Sequence, residues 1–143
     1  MAIDRLFVDS AFLLALFNRR DQHHERAHRL LRSFEQCREL WTTEAVMLEV
    51  AAAFRAPGQR PIAVRLWDQF HCDPRCSCVA VSGDPLREGV DLFRDRPDKS
   101  WSLTDCVSFV VMSEQQLTAA LTNDHHFVQA GFRALLLEES PAP

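Results

Sequence analysis

The 143-residue chain contains only four glycines and a single lysine, Lys99. So few glycines leave little room for a backbone cradle around nucleotide phosphates, and there is no G-x-x-x-x-G-K phosphate loop. There is no G-x-S-x-G elbow either, which removes the acyl-transfer chemistry built on that turn. No stretch reaches the roughly 20 apolar residues that span a bilayer. Met1-Ala2-Ile3-Asp4-Arg5 lacks the basic start and apolar core of a signal peptide, so a cytoplasmic protein is expected. A basic balance is missing as well. Twenty acids against sixteen lysines and arginines leave a net charge of −4, which argues against broad, charge-driven coating of nucleic acid.

Cysteine is present but in an odd number. Cys37, Cys72, Cys76, Cys78 and Cys106 cannot all pair, and without an export signal they read as free thiols. The Cys72-Cys76-Cys78 spacing beside His71 resembles a zinc cluster only loosely, because it lacks paired C-x-x-C knuckles. No role follows for these three cysteines.

Apolar residues make up 47% of the chain and charged residues 25%, the composition of an ordinary globular protein, and one domain over residues 1–143 is expected. Leu6-Phe7-Val8 reads as a buried strand, followed after Ser10 by an apolar helix over residues 11–17. Ala27, Leu30, Leu31 and Phe34 recur at helical spacing. Leu40-Trp41-Thr42 reads as a second strand, with Thr43 capping a helix to about residue 54, and Pro57-Gly58 ends it. A helix is expected over residues 62–70 and a third strand over residues 78–81. Ser82-Gly83-Asp84-Pro85 then reads as a stop, with a short helix over residues 86–93 and a polar loop over residues 95–99. Ser102-Leu103-Thr104-Asp105 matches a capping box ahead of the apolar run at residues 107–112. Ala119-Ala120-Leu121 is a fourth strand and residues 134–137 a fifth. Short apolar strands alternating with helices indicate an α/β architecture around a mainly parallel sheet of four to five strands. In such sheets, groups at the strand C-terminal ends converge on one crevice.

Four acids stand in apolar surroundings. Asp9 lies between the first strand and the first helix. Glu49 is the only charge in residues 45–54, Asp105 the only one between Trp101 and Met112, and Asp124 follows the fourth strand through Thr122-Asn123. Ionised carboxylates near a core cost several kcal/mol unless compensated. Each has a local alternative: Asp9, Asp105 and Asp124 could cap helices, and Glu49 could pair with an arginine. Those roles do not explain why the placement recurs. Two of the acids end parallel strands and two sit in early helical turns, positions that face one end of the sheet. Carboxylates converging there repel one another unless a hard divalent cation, Mg²⁺ or Mn²⁺, is held between them. Such a site suits metal-assisted hydrolysis of a phosphodiester.

Other catalytic devices fare worse. His23-His24 and His125-His126 are adjacent, so on a helix their side chains diverge by about 100° and form no shared metal face. His24 and His28 lie four residues apart and read as a surface face. A phosphotransfer domain with Asp9 as nucleophile would want an Asp two residues later, where Ala11 stands, and a catalytic lysine other than the loop residue Lys99. Between Arg19 and Arg38 six arginines face three acids, a local positive excess that reads either as a solvated helix face or as a phosphate-contacting patch.

Taken in order, Phe7-Val8-Asp9-Ser10, Thr42-Thr43 with Leu48-Glu49-Val50, Ser102 through Cys106, and Leu121 through Phe127 resemble the PIN domain, in particular its VapC-type branch of toxin–antitoxin toxins. That resemblance runs from about residue 5 to residue 137. It implies a three-layer α/β/α sandwich and metal-dependent endoribonuclease activity with Mg²⁺ or Mn²⁺. It assigns Asp9, Glu49 and Asp105 as core acids and Asp124 as a fourth. Ser10 would orient Asp9 or a water, and Thr104 and Asn123 would steady the acids. Arg19, Arg20, Arg26 and Arg29 are candidates to hold the RNA backbone. The resemblance also implies a small antitoxin partner seated in a groove, for which Phe12, Phe17 and Phe54 compete with roles in the core, and a homodimer. The alternative is a retained fold that binds RNA or protein with little turnover.

Overall fold

A computed structural model describes residues 3–138. The chain runs β1 (Arg5–Val8), α1 (Ser10–Phe17), α2 (His24–Gln36), β2 (Glu39–Thr43), α3 (Glu44–Ala53), α4 (Arg60–Cys72), β3 (Cys76–Val79), α5 (Gly83–Asp95), α6 (Leu103–Glu114), β4 (Ala119–Leu121), α7 (His125–Gln129) and β5 (Arg133–Ala134), closing in a 3₁₀ turn at Leu135–Leu137. The five strands form one sheet in the order β3-β2-β1-β4-β5, parallel at every pairing. Successive residues of a strand point to opposite faces. Leu6, Phe7 and Val8 are all fully buried, so both faces of the central strand are covered and the architecture is a three-layer α/β/α sandwich.

Two aromatic clusters fill the layers. Phe12 stacks on Phe34, which meets Phe70 edge to face, and the three join α1, α2 and α4. Phe7, Phe127, Phe109 and Trp101 join β1 to α7 and α6. Fully burying one such side chain contributes roughly 1.5–3 kcal/mol. Helix α5 packs closely along α6 because Gly89 offers no side chain there. A Cβ at that position would stand 2.6 Å from Val107 Cγ2.

Most elements match the expectations from sequence; three differ. The third strand begins at Cys76 rather than Cys78, because its register on β2 runs from Leu40↔Cys76 to Thr43↔Val79. Arg75 fixes that start. Its guanidinium donates to the carbonyls of Glu35 (2.7 Å) and Cys37 (3.0 Å) and pairs with Asp73 at 3.1 Å, which ties the entrance of β3 to the end of α2. Ser82-Gly83-Asp84-Pro85 opens α5 instead of merely ending a strand. Pro85 falls in the first turn, where backbone N–H groups have no helical partner to lose. The fifth strand contains only Arg133–Ala134, and Leu135–Leu137 turn away as 3₁₀ helix.

All five cysteines are free thiols, with Cys37 and Cys106 buried. Burial pushes Cys76 and Cys78 up to about 11, so both stay protonated. Among the described residues, no cysteine joins a three-ligand group at metal-binding separation. No helix of the described residues is long and apolar enough to cross a membrane.

Candidate active site

Because β1 and β4 are parallel neighbours, their C-terminal ends lie at the same sheet edge. Asp9 leaves β1 there and Asp124 follows β4 by three residues. Helix α6 delivers the chain into β4, so its first turn, with Asp105, faces that edge too. Glu49 reaches it from the second turn of α3. Asp9, Glu49, Asp105 and Asp124 thus line one cleft of about 840 Å³. Among the described residues, no arginine or lysine lines it, and it carries the imidazoles of His23, His125 and His126.

Each acid is held differently. Asp9 occupies the N-cap position of α1 but makes no capping bond. Its Oδ2 instead accepts from Thr122 Oγ1 at 2.7 Å, and the residue is only 5% exposed. Burial first, then the negative charges of Asp105 and Glu49, push its carboxyl up to about 7, with the Thr122 bond acting in the opposite direction. Asp105 completes the expected capping box. Its backbone N–H donates to Ser102 Oγ and its Oδ2 accepts from the Ser102 N–H, each at 3.0 Å. Asp124 caps α7 by accepting from the His126 N–H at 2.8 Å, while its own N–H donates to Thr122 Oγ1 at 3.1 Å. Glu49 accepts from Ser10 Oγ at 3.0 Å. Partial desolvation, followed by the charges of Asp105 and Asp124, raises its carboxyl above the ordinary range.

The capping roles foreseen for Asp105 and Asp124 therefore coexist with their place in the cleft, because a carboxylate has two oxygens and several lone pairs. Asp9 does not cap, and Glu49 has no arginine partner among the described ion pairs. Once this geometry is in place, the sequence comparison is decisive: residues 6–133 match the PIN domain. The chain belongs to the PIN domain family. Among solved structures, this PIN domain is similar to VapC20 from Mycobacterium tuberculosis, a sarcin-ricin loop cleaving toxin. The TM-score is 0.77 at 24% identity, over 89% of this chain and 95% of that one. No curated protein matches the sequence.

Several expected neighbours of the acids are placed otherwise. Ser10 serves Glu49 through its side chain, in place of the expected service to Asp9 or a water. Asn123 lines the cleft, whereas Thr104 does not line it and makes no hydrogen bond to the four acids. The threonine that steadies them is Thr122, fully buried and touching both Asp9 and Asp124. The signal was a hydroxyl between an apolar strand and an acid. Arg19, Arg20, Arg26 and Arg29 line no part of this cleft. Arg19 and Arg20 are exposed in the loop before α2, whose Gln22 and His23 do reach it. Phe12 and Phe54 are buried in the core, and only Phe17, at 45% exposure, offers a surface.

His126 is not expected from the sequence to join a metal group, because adjacent histidines on a helix diverge. In the fold it converges with residues other than His125. Its Nδ1 stands 3.0 Å from Asp105 Oδ2 and 3.2 Å from Asp124 Oδ1. These three residues present ligand atoms within 4.8 Å of one another, and Asp9 and Glu49 flank that group in the same cleft. Carboxylate oxygens with one imidazole, and no fixed lysine or arginine, make a donor set that fits a divalent cation of the Mg²⁺ or Mn²⁺ kind.

Proposed function

We propose that this PIN domain is a metal-dependent endoribonuclease and the toxin of a type II toxin–antitoxin pair. The observation that carries the reading is the convergence of four carboxylates in one cleft that, among the described residues, no arginine or lysine lines. Such a cluster is electrostatically incomplete without a bound cation. VapC20, similar in fold, is described as a sarcin-ricin loop cleaving toxin, which supports a nuclease reading for this chain with RNA as its substrate class. Asp105 and Asp124, flanked by Asp9, would hold Mg²⁺ or Mn²⁺. When bound, the ion supplies charge neutralisation at a phosphate and lowers the proton affinity of water.

The chain's own residues do the rest. Glu49 projects from α3 at the accessible rim and is oriented by Ser10. Its raised proton affinity suits it to accept the proton that an attacking water loses. The water oxygen then bonds to phosphorus as the 3′-oxygen leaves. Asp9, locked by Thr122, places at the floor of the cleft a carboxyl that a bound cation would hold ionised. Arg19 and Arg20 lie in the loop that carries Gln22 and His23 to the cleft, and they supply positive charge for the RNA backbone beyond its rim. We assign the protein to the cytoplasm, with a small antitoxin and a second copy of the chain as its partners.

The test is cleavage of a mixed RNA pool by the purified chain with Mg²⁺ or Mn²⁺ and with EDTA, alongside Asp9→Asn and Asp105→Asn. Metal-dependent fragments that vanish in both folded variants are the expected result. RNA retained by the protein but left intact with either metal would overturn turnover and favour the binding module.

A further inference from the structure

Resting on the reading of the cleft as a divalent-metal site, we propose that His126 is a nitrogen ligand of that ion, forming a two-carboxylate, one-imidazole set with Asp105 and Asp124 that favours Mn²⁺ over Mg²⁺. The geometry is the first reason. Donors about 2.1 Å from an octahedral ion stand about 3.0 Å apart when they occupy neighbouring corners. His126 Nδ1 lies 3.0 Å from Asp105 Oδ2 and 3.2 Å from Asp124 Oδ1. In the metal-free chain Nδ1 shares a proton with Asp105 in a hydrogen bond, and an ion that displaces that proton to solvent finds one ring nitrogen at ligand spacing from both acids.

The second reason is how the imidazole is held. Asp124 accepts the backbone N–H of His126, so the residue's main chain is anchored to one of the acids it would share an ion with. Asp105 is anchored in turn by Ser102. The three donors come from the first turns of α6 and α7 and the residue before α7, and the packing of Phe109 on Phe127 holds those two helices together. A ligand set on a short helix is thus braced by a core contact.

The chemistry sets the preference. Mg²⁺ takes oxygen donors almost exclusively, whereas imidazole shifts a mixed site toward transition ions. Two other histidines, His23 and His125, line the cleft, but neither is part of the close group. They are the controls.

The experiment uses the full chain without an affinity tag. Pulsed EPR of the Mn²⁺-loaded protein reads ¹⁴N modulation directly, whether or not any RNA is cut. The expected result is modulation in the parent chain, in His23→Ala and in His125→Ala, and none in His126→Ala. Calorimetric titration should show Mn²⁺ affinity falling by at least the roughly 10- to 100-fold that loss of a supporting group costs. Mg²⁺ affinity should fall less, and His126→Asn should restore Mg²⁺ binding without the Mn²⁺ preference. The parent spectrum needs no variant, so a poorly folding substitution leaves the proposal testable. Mn²⁺ bound without ¹⁴N modulation, or with modulation that survives His126→Ala, overturns the proposal and leaves the nuclease reading standing. A chain that binds no Mn²⁺ overturns both.

Discussion

Asp9 offers a sharp quantitative test, because its carboxyl is almost completely buried in a cleft that no lysine or arginine of the described residues lines. Its proton affinity rises from the ordinary 3.8 to about 7 in the folded chain, chiefly through burial. With about 1.4 kcal/mol per tenfold change, keeping Asp9 ionised in the metal-free fold costs about 4 kcal/mol. The sign follows from proton counting. Below about pH 4 the group is protonated in both folded and unfolded chains and contributes nothing. Between about 4 and 7 the unfolded chain has released the proton and the folded chain still holds it, so stability falls as pH rises. Above about 7 the loss is complete. Asp9→Asn removes this dependence and keeps an oxygen that can accept from Thr122. The amide's extra donor, facing groups that suited a carboxylate, costs about 1 kcal/mol. In EDTA the variant should therefore be slightly less stable than the parent near pH 4 and about 3 kcal/mol more stable near pH 8. Urea unfolding followed by circular dichroism at several pH values reads that crossover. Divalent metal at 100 times its Kd should restore about 2.7 kcal/mol to the parent and much less to the variant. Parallel stability profiles for the two chains across this range would refute the reasoning.

Three other substitutions separate the site from its scaffold. Thr122→Val deprives the Asp9 carboxylate and the Asp124 N–H of a partner; it should cost about 1–3 kcal/mol in urea unfolding and weaken metal binding in calorimetry roughly 10- to 100-fold. Ser102→Ala removes the hydroxyl arm of the capping box but leaves the Ser102 N–H on Asp105, so stability should drop by about 1 kcal/mol with metal affinity nearly unchanged. Gly89→Ala drives a methyl into Val107 and should cost about 1–3 kcal/mol despite alanine's better helix propensity; Val107→Ala in the same chain should recover most of that in thermal unfolding.

Much of this molecule was legible because the responsible interactions are short in sequence. The Ser102–Asp105 box and the Thr43 cap on Val46 each span three residues, and the apolar runs at Leu6-Phe7-Val8 and Ala119-Ala120-Leu121 announce buried parallel strands without reference to their neighbours. Four acids in apolar surroundings marked the cleft for the same reason: an isolated charge beside a core is visible wherever it occurs. The start of β3 was not legible, since Arg75 sets it by reaching carbonyls 38 and 40 residues earlier. Nor was the division of labour in the cleft. Thr122 reaches Asp9 across 113 residues, Ser10 reaches Glu49 across 39, and His126 meets Asp105 across 21.

The sequence by itself determined the alternation of strands and helices, the ends of the capped helices and the identity of the four acids, because each depends on neighbours within about one helical turn. Tertiary structure alone decided which hydroxyl serves which carboxylate and which histidine joins them. Those pairings are set by the strand order β3-β2-β1-β4-β5, which lays the ends of β1 and β4 side by side and packs α7 against α6. Local patterning cannot encode that adjacency, because it is a property of the assembled sheet.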